Sequence, residues 1–134
     1  MPSSEQIVRE FCDLMVKRDA QAVRSYFTED SVYQNTGMPA TVGVDDIVAD
    51  LAGQFGAFPD SYEYKLLNIA ANGDVVMTER LDMVGTDDTM GVPVMGTFVL
   101  KDGKISRWTD YWDTSLPGKI LGGEDVSTLV PQSY

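Results

Sequence analysis

Asn72-Gly73-Asp74-Val75-Val76-Met77-Thr78-Glu79-Arg80-Leu81-Asp82-Met83-Val84 opens on a strong turn signal and runs on as a strand from Asp74 to Val84. Reading outward from it, Ser61 to Ile69 alternates aromatic and polar residues and forms the strand before the turn. Met90 to Leu100 is the strand after it. Lys101-Asp102-Gly103-Lys104 then makes a tight turn into a further strand, Ile105 to Asp113. Consecutive hairpin-linked strands of this kind build an antiparallel sheet. The first half of the chain reads differently, and the contrast sets the fold class.

Ser3, with Gln6 three residues on, forms a capping box. Ile7, Phe11, Leu14 and Met15 then recur at helical spacing, with Val8 and Cys12 widening the apolar stripe. Asp19 caps a second short helix carrying Ala22, Val23, Tyr26 and Phe27. A third helix begins near Gly43, runs through Ile47, Val48, Leu51 and Phe55, and stops by Pro59. Between these helices, Ser31 to Asn35 is a short strand. The tail from Pro117, with Gly122, Gly123 and Pro131, carries no clear pattern. Helices first and strands after imply an α+β domain spanning 1–134, its helices packed on one face of a curved sheet. Such a sheet leaves a concave cavity suited to a ligand.

Composition narrows the function. The 134 residues carry a net charge of −11 with only ten Lys and Arg, which argues against nucleic acid or an anionic membrane surface as partner. No long uncharged apolar run predicts a membrane span, and Met1-Pro2-Ser3-Ser4-Glu5 lacks secretory character. The single cysteine, Cys12, makes no internal disulfide and fits a reducing cytoplasm; its place on an apolar helix face marks it as packing. The chain contains no histidine, so Ser-His-Asp and Cys-His sites and imidazole-based zinc sites are excluded. The seven methionines are scattered and suggest no metal site. Acid–base chemistry near neutral pH must therefore come from carboxylates with shifted pKa values, from Tyr, Lys or the lone Cys.

Arg80 and Asp82 stand two apart on a strand and share a face with Val76, Thr78 and Val84. Tyr33 and Asn35 have the same spacing. Asp110 shares its face with Trp108 and Trp112. A charged group among such neighbours is a candidate for burial and must then be paired. Arg80 has donors for two carboxylates at once. Two acids held close do not both ionise cheaply, so one keeps its proton near neutral pH. One acid then donates a proton while the other takes one from water, and Tyr33 and Asn35 hold that water. Each signal alone has an ordinary explanation. Arg-x-Asp on a strand is commonly a surface ion pair, Asp110 fits a strand end, and Asn35 before Gly37 and Pro39 fits a turn.

The three segments Tyr33-Gln34-Asn35, Thr78-Glu79-Arg80-Leu81-Asp82 and Trp108-Thr109-Asp110-Tyr111-Trp112-Asp113 together resemble those of limonene-1,2-epoxide hydrolases. The resemblance extends to Phe11 to Met15, Tyr26-Phe27-Thr28-Glu29-Asp30 and Leu51-Ala52-Gly53-Gln54-Phe55, and reaches to about Asp113. It implies an NTF2-like, SnoaL-like cone: a curved, mostly antiparallel sheet wrapped around N-terminal helices, with a deep pocket. It implies a homodimer and one-step, cofactor-independent hydration of a small apolar epoxide to a vicinal diol. In the roles it implies, Asp110 is the general base, Asp82 the general acid and Arg80 the bridge between them, with Tyr33 and Asn35 holding the water. Met15, Val84, Val92, Val94 and Trp112 are the candidates for the substrate-binding wall.

Two departures from the family pattern stand out. Thr109 replaces a basic residue, read as a surface change. Gln54 stands where an apolar pocket residue is expected. The competing readings are an isomerase or polyketide-cyclase-like enzyme of the same fold type, and a non-catalytic module that binds a small ligand.

Overall fold

The computed structural model describes residues 2–57, 63–83 and 91–131. Helix α1 is Ser4–Val16, opened by the capping box: Ser3 accepts from the Gln6 amide while the Gln6 side chain accepts from the Ser3 amide. Its buried face carries Val8, Phe11, Cys12 and Met15. The second helical segment, Ala20–Tyr26, is a 3-10 helix capped by Asp19. It ends in extended Phe27. Helix α2, Val44–Ala57, buries Ile47, Val48, Leu51 and Phe55.

Strands β1 (Val32–Asn35), β2 (Thr41–Val42), β3 (Glu63–Asn72), β4 (Val75–Met83), β5 (Gly91–Lys101) and β6 (Lys104–Tyr111) form one unclosed, curved sheet in the order β2-β1-β6-β5-β4-β3. The hairpin-linked run β3 to β6 is antiparallel throughout. Its last turn places both Asp102 and Gly103 at positive φ (52° and 77°), the pairing that matches the twist of a two-residue hairpin. One pairing departs from that pattern. Strand β1 lies parallel to β6, with Tyr33 beside Trp108 and Asn35 beside Asp110. β2 has only two residues, too short for an alternating signal. Tail helix α3, Leu116–Leu121, also escaped the pattern; Pro117 is tolerated in its first turn and Gly122 caps its end. Val84, Met90 and the start of the strand read from Ser61 lie outside the described residues.

Helix α1 packs on β3 and β4, and α2 on the 3-10 helix and β2. The main core centres on Trp108, fully buried, stacked 4.1 Å from the Tyr33 ring and met edge-on by Phe11 at 5.1 Å. A second cluster joins Val92 and Val94 of β5 to Leu116 and Val126 of the tail, with Trp112, Ile120 and Val130 packed on it. Tyr33 of the first cluster and Val92, Val94 and Trp112 of the second line one cavity. No described helix is long and apolar enough to cross a membrane.

Candidate active site

On β4 the inward positions are Val76, Thr78, Arg80 and Asp82, as the two-residue period requires. The Arg80 side chain is entirely buried. Its Nη2 and Nη1 donate to the two oxygens of Asp110 at 2.9 and 3.1 Å. Its Nε and Nη2 donate to the two oxygens of Asp82 at 3.2 and 3.1 Å. One guanidinium thus grips two carboxylates, each through two hydrogen bonds, a geometry its planar fork permits and an ammonium does not. Asp110 also accepts from Trp108 Nε1 at 2.7 Å. The surface ion-pair explanation for Arg80 and Asp82 therefore fails: the arginine faces the interior.

One positive charge against two acids leaves a charge to neutralise. Burial pushes the Asp82 carboxyl up to about 6, opposed by the Arg80 charge and hydrogen bonds and reinforced by the Asp110 charge. Asp82 thus keeps its proton well above the ordinary carboxylate range, up to about pH 6.

Tyr33 and Asn35 reach the site through the parallel β1–β6 pair. The Tyr33 hydroxyl oxygen accepts from Asn35 Nδ2 at 3.0 Å and from Gln54 Nε2 at 3.1 Å. With both acceptor positions taken, its proton is what it has left to offer. Burial first, then the Asp110 charge, raise the phenol above its ordinary range, so it stays protonated. Trp112 Nε1 donates to Asn35 Oδ1 at 2.8 Å. An indole nitrogen only donates, so this bond sets which end of the Asn35 amide faces Tyr33.

A cavity of about 350 Å³ lies against these groups. Tyr33, Asn35, Asp82, Asp110, Val92, Val94 and Trp112 line it, as do Met38, Pro39, Thr41, Asp50, Gln54 and Pro117. The polar five are brought together: Asp82, Asp110, Tyr33 and Asn35 face the cavity, and Arg80 sits behind the two acids. Among the apolar candidates, Val92, Val94 and Trp112 form wall, and Val84 lies outside the described residues. Met15 is a correction: it is fully buried in the main core with Val8 and Phe11, because it shares their face of α1. Thr109 is a second correction. It is buried rather than on the surface, since β6 is flanked by β1 and β5. Cys12 is packing, its thiol pushed up to about 12 chiefly by burial.

Gly96 went unnoticed in the sequence. It lies on β5 between Thr78 and Asp110, and a Cβ there would stand 2.4 Å from Arg80 Nη1 and 2.8 Å from Asp110 Oδ1. The guanidinium occupies the space a side chain would fill. A glycine inside a strand pattern is the signal for such close approach.

A SnoaL-like domain model matches residues 8–108, most of the chain. The chain belongs to the SnoaL-like domain family. It is 29% identical over 128 residues to epoxide hydrolase EphG of Mycobacterium tuberculosis, covering 92% of this chain and 83% of that protein. The solved structure of an LEH-like epoxide hydrolase from M. tuberculosis matches with 28% identity and a TM-score of 0.70, covering 96% of each chain. A polyketide cyclase-like structure from Sinorhizobium meliloti matches at 24% identity and a TM-score of 0.68, covering 82% of this chain and 94% of that one, a likeness of fold alone. The fold of this SnoaL-like chain is NTF2-like, a curved and unclosed sheet with N-terminal helices.

In Gly96→Ala the added methyl group must move Arg80 or Asp110. Its crystal structure should show the guanidinium lifted from at least one carboxylate, with a stability loss of about 1–3 kcal/mol in urea unfolding. An unmoved Arg80 at unchanged stability would contradict this role for Gly96.

Proposed function

We propose that this protein is an epoxide hydrolase of the limonene-1,2-epoxide type, which adds water in one step to an epoxide with an apolar ring body. The observation that carries the reading is Arg80 gripping Asp82 and Asp110 at the floor of the cavity. The relatedness to EphG supports it. Opening an epoxide needs a base on the nucleophile and an acid on the leaving oxygen in the same transition state. Asp110 serves as base and Asp82, with its raised pKa, as acid.

The water sits against Asp110, Tyr33 and Asn35. The Tyr33 proton binds one of its lone pairs and Asp110 accepts one of its protons, leaving another lone pair for the ring carbon. As the new C–O bond forms, the ring C–O bond breaks and its electron pair goes to the epoxide oxygen. Asp82 protonates that oxygen, and Asp110 takes the proton released by the water. Solvent exchange returns both acids to their starting states after the diol leaves. Arg80 holds the two carboxylates at a fixed separation and stabilises whichever is charged. An isomerase needs one base and an oxyanion hole; a guanidinium spanning two acids suits the two-proton task better.

Incubation with a cyclic epoxide should yield a trans diol. Asp82→Asn and Asp110→Asn should each lower kcat by at least about a thousandfold while remaining folded, since neither proton transfer suffices alone. Substantial turnover by either variant would defeat the assignment.

The acid must carry its proton, so kcat/KM should fall as pH rises through about 6, the value to which Asp82 is raised. A profile that is level from pH 5 to pH 8 would remove Asp82 as the acid.

A further inference from the structure

Asp50 is a carboxylate in the cavity that the hydration chemistry does not use. It and Gln54 stand four apart on α2, so both point from the same side of the helix, and both line the cavity with Thr41 of β2. Thr41 Oγ1 donates to Asp50 Oδ2 at 3.2 Å. Gln54 Nε2 reaches Asp50 Oδ1 at 3.5 Å and the Tyr33 hydroxyl at 3.1 Å. Asp50 is thus two hydrogen-bond lengths from the side chain that holds the water.

The strand order separates this group from the apolar wall. β2 is the sheet edge, with β1 and β6 between it and β5, which supplies Val92 and Val94. Near β2 the lining therefore mixes the polar Thr41, Asp50 and Gln54 with Met38 and Pro39, whereas Val92, Val94 and Pro117 give an apolar lining away from it. The reacting groups lie between them.

A carboxylate has room for roughly four hydrogen bonds. The two that Asp50 accepts are from neutral donors, and the second is long. A substrate that is apolar throughout would strip the remaining water from this half-buried acid and give nothing back, which is costly. Resting on the epoxide hydrolase reading, we propose that the substrate is an epoxide whose otherwise apolar ring body bears one hydroxyl group, which donates to Asp50 while the apolar part packs on Val92 and Val94. Asp50 is then a specificity-determining residue, and Gln54 is the link between it and Tyr33. A pocket built to bind a hydroxyl discriminates against the analogue lacking it, because the acceptor is left without its partner.

The test compares cyclohexene oxide with its hydroxymethyl-substituted counterpart as substrates of the full chain. kcat/KM should favour the hydroxymethyl epoxide by about tenfold or more, as a hydrogen bond to a charged acceptor implies. In Asp50→Leu the ratio should fall towards one. In Asp50→Asn, which keeps the size and the contact with Thr41, it should fall part-way, because the bond is no longer assisted by charge. Equal efficiency on the two epoxides, or a ratio that survives Asp50→Leu, would overturn the inference and leave the hydrolase reading standing. Failure to open either epoxide would overturn both.

Discussion

A guanidinium shut away from water between two carboxylates is the constraint around which the rest of this molecule is arranged. Unpaired, Arg80 would be prohibitively expensive to bury; gripping Asp82 and Asp110 through four hydrogen bonds, it is accommodated. The neighbours follow from it. Gly96 leaves the space through which the side chain passes, Thr78 accepts a longer contact at 3.4 Å, and Trp108 turns its indole nitrogen to Asp110 while its rings anchor the aromatic core. Replacing a buried ion cluster by apolar residues often leaves stability unchanged or improves it. Chemistry is therefore the better account of why this sheet carries one.

The cluster is also unequal. Asp110 is 4% exposed and tied to both Arg80 and Trp108, whereas Asp82 is 13% exposed and accepts from Arg80. In the proposed reaction this asymmetry casts Asp82 as the acid and Asp110 as the base. It has a thermodynamic counterpart. Asp82 is raised from 3.8 to about 6 in the folded state, so its contribution to stability is full below 3.8 and is lost as pH rises through about 6.

Much of the fold was legible because the two periods are so distinct. The α1 stripe from Ile7 to Met15 and the capping box at Ser3 specify a helix without help from the rest of the chain, and the β3–β4 and β5–β6 hairpins announce themselves by their turns. The inward set Thr78, Arg80 and Asp82 follows from the same two-residue period. What could not be read locally are contacts between distant segments. Tyr33 meets Trp108, and Asn35 meets Asp110, across a parallel pairing that no turn encodes. The family resemblance, not the spacing, pointed to them. Met15 misled because a helix face looks alike whether it meets a core or a cavity. Asp50 and Thr41 were invisible for a related reason. A polar residue on a surface helix or on a two-residue strand is ordinary until the strand order turns it towards a pocket. Gly96 carried a usable signal, a glycine amid Val94, Met95, Thr97 and Phe98, but only the register across to Arg80 gives it meaning.

In the proposed reaction Asp110 acts as a base on water and never bonds to carbon. A single turnover in oxygen-18 water, with enzyme in excess over a cyclic epoxide, addresses it directly. Direct attack by water predicts a diol fully labelled at the new oxygen and no label in the protein. An unlabelled diol from that first turnover, with oxygen-18 afterwards found in an aspartate side chain, would show a covalent ester and contradict the account.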